Sequence, residues 1–301
     1  MLWLCLHFPK LPLEALIPKP SFGDASLRVV IEASRVVTCD DEVEALGVTT
    51  GLKQSTVSGL LSGHPLQLLS RDRVKEHQTL RRLRQWAYSI TPTLSLWRDD
   101  CLQLEISRCL LVHGGLEALL KKIAIEFDQR GFSVFAGVGP SRESAWLLSQ
   151  FNRASVASIA DQGLPLESQL SPIPLSYLDE FPKDTAALAK AGVRTFKDLL
   201  ALPNASIKQR CSHEFSSWID RLLCRVEVAL EDFQPDPEYN DVAWLGYGSK
   251  NNQELIPAME ALLEKLSLFL RHTQLETPQL RWVFIPTQGQ HTPLDIRSSE
   301  C

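Results

Sequence analysis

The sequence contains no apolar stretch long enough to cross a membrane. The opening segment MLWLCLHFP (residues 1–9) is apolar, but it is much shorter than the roughly 20 residues that a membrane-spanning helix requires. It also lacks the basic start and the cleavage site of a secretory signal peptide. We therefore expect a cytoplasmic protein that does not associate with membranes.

Cysteine is scarce and scattered. The 301 residues include seven cysteines, and no two of them form a C-x-x-C pair. An odd number of cysteines without paired spacing is not typical of a zinc finger, a redox dithiol or a disulfide framework. The simplest interpretation is a set of reduced thiols in the cytoplasm.

An excess of positive charge is also absent. A formal net charge of -5 and a pI of about 5.8 do not indicate a strongly basic nucleic-acid-binding protein, although a local basic face is compatible with them. The sequence has no P-loop, no G-x-S-x-G nucleophile elbow and no H-E-x-x-H zinc motif. The enzyme classes that depend on those motifs are therefore not indicated.

The sequence does contain a regular alternation of strand and helix patterns, and its length suggests two or three domains. Helical spacing of apolar residues predicts helices at about 72–90 and 115–130. Apolar runs predict strands at about 2–8, 93–97, 102–106 and 132–138. With an insertion after the first strand set aside, the order is β-α-β-β-α-β, the ferredoxin-like split unit of an α+β protein.

The pattern changes after residue 162. Prolines at 165, 172, 174 and 182 mark a linker, and short helices are predicted at about 184–190, 196–201 and 213–229. A second linker begins at Pro235. The last segment predicts a strand, a long helix and a strand, at about 242–247, 253–272 and 279–285. Two strands and one helix are too few to close a sheet, so we expect the last domain to be incomplete.

Two local patterns permit more than one interpretation. Gly137 and Gly139 follow a strand and precede a helix, where their amides could meet an anion, but a close helix–strand contact is favoured. Six cations lie between residues 71 and 84. They could follow a phosphate backbone, but the solvent face of an amphipathic helix is favoured.

Cysteine–histidine pairs and carboxylates offer further candidates. Cys5 with His7, and Cys211 with His213, have ligand-like spacing, but neither has a second pair, so core or surface residues are favoured over zinc. Asp99 and Asp100 are typical of a solvated hairpin. The acidic residues at 40, 41, 42 and 44 are typical of a helix start.

Taken in order, several segments resemble the Y-family DNA polymerases, and within them the ImuB subgroup of polymerase-like proteins from bacterial mutagenesis cassettes. The resemblance covers nearly the whole chain. It rests on WLCLHFPKLPLE (3–14), LGVTTGL (46–52), WAYSITP (86–92), LQLEIS (102–107), VHGG (112–115), GVGP (137–140), AWLL (145–148) and GVRTFKDLLALP (192–203). It implies a palm at 1–10 and 66–162, fingers at 11–65, a helix-hairpin-helix-like thumb at 163–234 and the start of an α/β little finger at 235–301.

The resemblance also implies that the catalytic metal site is degenerate. Active members use three acidic ligands, whose positions fall on Cys5, on Asp100 and on Cys101, while a further acidic position of the first strand falls on His7. Mg²⁺ strongly prefers oxygen ligands, so we expect no bound Mg²⁺ and no other cofactor.

The nucleotide-binding positions differ in the same way. The bulky aromatic residue that excludes ribonucleotides falls at Lys10, and the fingers Tyr and Arg fall at Asp41 and Glu44. Anionic residues there would repel a triphosphate. The palm lysine falls at Arg153, which could still bind phosphate.

In the thumb, the hairpin that would present amides to a DNA phosphate falls on DEF at 179–181, where two acids weaken phosphate binding. Gly192 is predicted to end a helix and Thr195 to cap the next one. The remaining candidates for DNA contact are Arg194, Thr195 and Lys197.

The implied function is a non-catalytic adaptor in DNA-damage-induced (SOS) translesion synthesis and mutagenesis. By resemblance, its partners would be DNA, the sliding clamp, a RecA-like accessory protein and an error-prone replicative-type polymerase. Two alternatives stay open, an active divergent translesion polymerase and a simple DNA-binding module. Primer extension separates the first of these from the adaptor, and recovery of DNA without clamp or polymerase would favour the second.

Overall fold

The computed structural model describes residues 1–17, 27–152, 156, 165–226, 239–243, 245, 251–273, 275–284 and 292–297. Within these, the strands are β1 Trp3–His7, β2 Leu27–Glu32, β3 Arg35–Cys39, β4 Leu66–Ser70, β5 Leu94–Trp97, β6 Cys101–Glu105, β7 Phe135–Gly139, β8 Gln279–Phe284 and β9 Thr292–Arg297. The helices are α1 Leu11–Glu14, α2 Asp41–Ala45, α3 Gln54–Leu60, α4 Arg73–Tyr88, α5 Leu116–Arg130, α6 Arg142–Asn152, α7 Leu166–Leu170, α8 Pro182–Lys190, α9 Phe196–Leu200, α10 Asn204–Arg210, α11 His213–Leu222 and α12 Asn252–Thr273. The predicted α+β class is confirmed.

The main sheet has the strand order β5-β6-β1-β7, and every neighbouring pair is antiparallel. Its two faces bury different residues because side chains alternate along each strand. Leu4 and Leu6 of β1 lie in the hydrophobic core formed with α4 and α5. Trp3 and Cys5 face a second core that includes α6 and the helices after residue 165. The element order around this sheet is the β-α-β-β-α-β order predicted from the sequence.

Local signals place the two helices of this unit. Helix α4 begins after Asp72, whose carboxylate accepts hydrogen bonds from the amides of Val74 and Lys75 at 3.1 Å. Helix α5 ends at Gly131, which has a φ of 76° and the left-handed conformation that glycine tolerates best. The predicted end of α5 is therefore confirmed.

A second sheet, with the order β3-β2-β4, encloses a small valine-rich core. Strand β4 pairs in parallel with β2, so it belongs to the small sheet and not to the main sheet. The sequence prediction placed residues 66–70 in the palm, whereas β4 pairs with β2, a strand of the segment predicted as fingers. The partner strand is distant in the chain, so local periodicity could not reveal the pairing.

The helices from α7 to α11 form a compact group on the second core. The helix predicted over 213–229 is shorter than expected, because α11 ends at Leu222 and Cys224 has a φ of 55°. Residues 227–229 lie outside the described residues. Helix α10 was not predicted. Trp218 of α11 packs edge-on against Trp146 of α6, with ring centroids 6.3 Å apart, and so joins the helical group to the main sheet.

The chain divides into two compact units, Met1–Phe233 and Gln234–Cys301. In the second unit, β8 and β9 form an antiparallel pair, and α12 is the long helix predicted at 253–272. The strand expected at 242–247 is not observed at residues 242, 243 and 245, and its other residues lie outside the described part of the chain. None of the described helices combines the length and the apolarity that a bilayer crossing requires.

Gly137 and Gly139 allow α6 to approach β7 closely. A Cβ atom at Gly137 would lie 2.2 Å from the carbonyl oxygen of Ala145 and 2.3 Å from the amide nitrogen of Ser149. A Cβ at Gly139 would lie 2.3 Å from the hydroxyl oxygen of Ser144. These distances support the packing interpretation of the two glycines over the anion-binding one.

We predict that Gly137→Ala destabilises the first unit strongly. Typical overpacking costs about 1–3 kcal/mol, and here the obstructing atoms belong to backbone, so we expect a loss of about 3 kcal/mol or more in the free energy of unfolding. Urea unfolding of the full chain measures this loss.

Gly59→Ala is the matched control, because Gly59 lies in α3 with nothing near its potential Cβ. Removing a helical glycine should raise the free energy of unfolding by about 0.5–1 kcal/mol. Equal effects of the two substitutions would contradict the close-approach argument.

Candidate functional site

The candidate site lies where β1 and β6 run side by side. Their antiparallel register places His7 directly opposite Cys101, and Cys5 lies on the same face two residues before His7. Asp100 lies in the β5–β6 turn, where its carbonyl accepts a hydrogen bond from the amide of Phe8 at 2.9 Å. The structure thus brings together the four positions that the sequence singled out as degenerate.

The polar groups of this site contact one another. The Nε2 atom of His7 lies 3.4 Å from Oδ2 of Asp100. The thiol of Cys101 donates to Oδ1 of Asp100 at 3.1 Å. The ligand atoms of His7, Asp100 and Cys101 all lie within 4.8 Å of one another. The sequence grouped these residues as degenerate metal positions but could not give the distances between them, because His7 and the segment of Asp100 and Cys101 lie far apart in the chain.

The two cysteines are buried beneath α6. Ser149 points its hydroxyl at the sulfur of Cys5, 3.6 Å away, and Gln150 points its amide at the sulfur of Cys101, 3.8 Å away. Burial, with the neighbouring Cys5 thiol and Asp100 carboxylate, raises the pKa of Cys101 well above its usual value. Cys101 is therefore a protonated thiol at neutral pH.

Asp100 keeps its charge in this setting. Burial raises the pKa of its carboxyl, but the hydrogen bond and charge of His7, the Cys101 thiol and the charge of Arg98 outweigh burial and lower the pKa overall. Asp100 is thus an ionised carboxylate beside an imidazole and a thiol. This donor set does not fit Mg²⁺, which requires several oxygen ligands in octahedral geometry.

The predicted nucleotide positions are joined by an ion pair. The ammonium group of Lys10, which is largely buried, contacts the carboxylate of Asp41 at the start of α2 at 2.5 Å. Glu44 lies one turn further along α2 and is exposed. Arg153 lies outside the described residues. The Lys10–Asp41 pair links the loop after β1 to the small sheet's helix, and it was not predicted.

The loop before α9 follows its sequence signals. Gly192 has a φ of 87° after α8, and Thr195 caps α9 in a reciprocal capping box with Asp198. Both predictions for this loop are confirmed. The side chains of Arg194 and Lys197 are exposed and form no ion pair within the described ranges. These two cations are available to an external anion, whereas the Thr195 hydroxyl is engaged by the helix cap.

Arg98 connects the β5–β6 turn to the helical group. Its guanidinium forms ion pairs with Asp179 at 3.2 Å and Glu180 at 2.8 Å, and it lies 4.0 Å from the ring centroid of Trp146. Arg98 itself has a φ of 56°. The two acids that the sequence placed at the DNA-binding hairpin therefore serve an internal contact.

The basic helix face is partly neutralised. Arg71 forms ion pairs with Glu76 and Glu32, and Arg73 forms one with Glu32. These pairs support the interpretation of residues 71–84 as a helix surface with internal ion pairs rather than a phosphate track.

The fold of the chain is similar to those of several solved structures. DinB from Sulfolobus solfataricus superposes with a TM-score of 0.55 over 100% of this chain and 88% of its own, at 12% identity. A ternary complex of Dbh superposes with a TM-score of 0.57 and the same coverage and identity. A Y-family DNA polymerase chimera of Dbh gives 0.54 at 13% identity, again over 100% and 88% of the two chains. The chain has a Y-family polymerase-like fold.

The Y-family-like chain is also similar in sequence to Protein ImuB of Caulobacter vibrioides, from two strains. The identity is 22% over 197 residues, which is 65% of this chain and 42% of ImuB. The chain therefore spans less than half the length of these curated relatives. No protein-family profile matches the chain. The resemblance to the ImuB type that the sequence motifs indicated is confirmed.

We predict that millimolar Mg²⁺ leaves the melting temperature of the protein unchanged. An ion that binds only the folded state would add about 2.7 kcal/mol of stability at 100 times its Kd, which a thermal shift detects readily. A saturable rise with Mg²⁺ that Asp100→Ala abolishes would show that the carboxylate still holds the ion.

Proposed function

We propose that this protein is a non-catalytic, polymerase-like adaptor in DNA-damage-induced translesion synthesis and mutagenesis. The observation that carries the proposal is the polymerase-like fold. By the motif resemblance, Cys5, His7 and Cys101 fall at positions that are acidic in active members of the family. Its similarity to ImuB supports the same cellular role.

The chemistry of phosphoryl transfer supports the non-catalytic part of this proposal. Two-metal catalysis requires ions about 3.5–4 Å apart, held by shared carboxylates that stabilise the attacking and leaving oxygens. Asp100 is the one carboxylate among the four degenerate positions. A single carboxylate beside two thiols leaves two Mg²⁺ ions short of oxygen ligands, and thiols do not replace them.

The charges near the proposed nucleotide position point the same way. Lys10 is engaged by Asp41, and Glu44 adds a further negative charge to α2. A triphosphate entering here would meet carboxylates instead of cations, and its binding would be opposed.

The proposed contact with other molecules is through DNA and proteins. Arg194 and Lys197 offer exposed positive charge for DNA, and one solved protein of the same fold is described as a ternary complex of Dbh. By resemblance, the protein partners would be the sliding clamp, a RecA-like accessory protein and an error-prone polymerase that carries out synthesis in the cytoplasm. Arg153 would add a phosphate contact.

We predict that restoring carboxylates does not restore synthesis. The double variant Cys5→Asp with Cys101→Glu adds two carboxylates, which with Asp100 make three. Lys10, Asp41 and Glu44 would still fail to position a triphosphate. Positioning and electrostatic stabilisation supply most of the catalysis in phosphoryl transfer. Primer extension with Mg²⁺ or Mn²⁺ should therefore detect no product from the variant or from the unaltered protein.

The variant's melting temperature is the control for folding in this experiment. Extension by the unaltered protein would establish the active-polymerase alternative. Extension by the folded double variant alone would mean that only the metal ligands had been lost and that the nucleotide site is intact.

We predict that DNA binding is electrostatic and independent of base sequence. On duplex DNA, each phosphate that a cation neutralises adds about -0.9 to the slope of log K against log salt. The double variant Arg194→Ala with Lys197→Ala should therefore flatten the slope by up to about 0.9 for each phosphate that is no longer neutralised. Fluorescence anisotropy with a labelled duplex measures this change.

Lys121→Ala with Lys122→Ala is the matched control, because it removes the same charge from the exposed face of α5. If both double variants flattened the slope equally, the change would follow from the loss of net charge and not from contacts of Arg194 and Lys197 with phosphates. Binding that does not vary with salt, or a preference for one base sequence, would contradict the proposal.

A further inference from the structure

The trio of His7, Asp100 and Cys101 presents three different ligand types at one point of the sheet. An imidazole nitrogen, a carboxylate oxygen and a thiol sulfur lie within 4.8 Å of one another. Three protein ligands with one position left for water is the arrangement of open zinc sites. We propose that these residues form a binding site for a thiolate-preferring divalent cation of the zinc class, in place of the magnesium ions of active polymerases.

Two of the three ligand separations are close to those that a tetrahedral ion imposes, and the third, between His7 and Cys101, is within 4.8 Å. Bonds of about 2.3 Å to sulfur and about 2.0–2.2 Å to nitrogen and oxygen separate neighbouring ligand atoms by roughly 3.3–3.7 Å. In the protein, the sulfur of Cys101 is 3.1 Å from one carboxylate oxygen of Asp100, and Nε2 of His7 is 3.4 Å from the other.

The trio is accessible to solvent at one ligand, and strand pairing holds the other two ligands in place. Cys101 is fully buried and the His7 side chain is 12% exposed, whereas the Asp100 side chain is 45% exposed. The carboxylate therefore faces solvent and the other two ligands lie behind it. Backbone pairing of His7 with Cys101 fixes the spacing of two ligands before any ion arrives.

The binding step exchanges a proton for the metal. The Cys101 thiol, whose proton is hydrogen-bonded to Asp100, would release that proton to solvent as the sulfur–metal bond forms. Asp100 already carries its negative charge, so no second proton leaves. Neither oxidant nor reductant is required.

The surroundings set the expected strength of the site. The Nδ1 atom of His7 is buried without a hydrogen-bond partner among the described residues. Ligating histidines normally donate from the second nitrogen, and loss of such an outer partner weakens metal binding by about 10–100-fold. We therefore expect a site weaker than a structural zinc site but selective for zinc-class ions over Mg²⁺.

Cobalt is the probe, because thiolate-bound Co²⁺ shows a charge-transfer band and tetrahedral Co²⁺ shows visible ligand-field bands. The full chain is titrated with Co²⁺ in the presence of a phosphine reductant that does not bind metal. We expect one Co²⁺ per chain with both signatures, displaced by Zn²⁺ and unaffected by millimolar Mg²⁺.

Variants assign the signal to this trio. Cys101→Ser should abolish the charge-transfer band, and Asp100→Asn should weaken Co²⁺ binding by at least the roughly 10–100-fold seen for outer-shell losses. Cys211→Ser is the matched control. Cys211 and His213 lie outside the trio, but their spacing in the sequence is the same as that of Cys5 and His7. This control should leave the spectrum unchanged, and the melting temperature of each variant checks its folding.

Two results would overturn the proposal. One is the absence of a charge-transfer band in the folded, reduced chain. The other is a band that survives in Cys101→Ser or disappears in Cys211→Ser, which would place cobalt elsewhere. Neither result depends on primer extension, so this proposal and the proposed adaptor function stand or fall separately.

Discussion

The antiparallel register of the central strand β1 is the constraint on which the main sheet and its two cores depend. Hydrogen bonding places His7 opposite Cys101 on one side and Cys5 opposite Gly137 on the other. A slip of one residue would turn Leu4 out of the core beneath α4 and α5 and toward α6. The apolar face therefore fixes the register, and the polar cluster on the opposite face inherits its geometry from that packing.

Sequence patterns revealed the elements whose determinants are local. The end of α5 at Gly131 and the start of α9 at Thr195 follow from backbone conformation and capping within a few residues. The pairing of β4 with β2 was missed because the two strands are far apart in the chain and a parallel ladder leaves no local mark. The short helix α10 was missed as well.

In the candidate site, too, the sequence predicted what depends on local motifs and missed what depends on contacts between distant parts of the chain. Alignment with family motifs located Cys5 and Cys101, because each lies in a recognisable apolar strand. It could not show that Lys10 would be paired with Asp41, since the charge of a residue does not reveal its partner across the fold. It also could not show how close His7 and Cys101 would lie, because that distance is set by strand pairing.

The contact made by Arg98 has a mechanical meaning. The guanidinium of Arg98 ties the β5–β6 turn, which carries Asp100, to Asp179 and Glu180, and it also lies over Trp146. Rotating the helical group away from the sheet would have to break both ion pairs of Arg98. The placement of the helical group is therefore coupled to the same turn that carries Asp100, through a single arginine side chain.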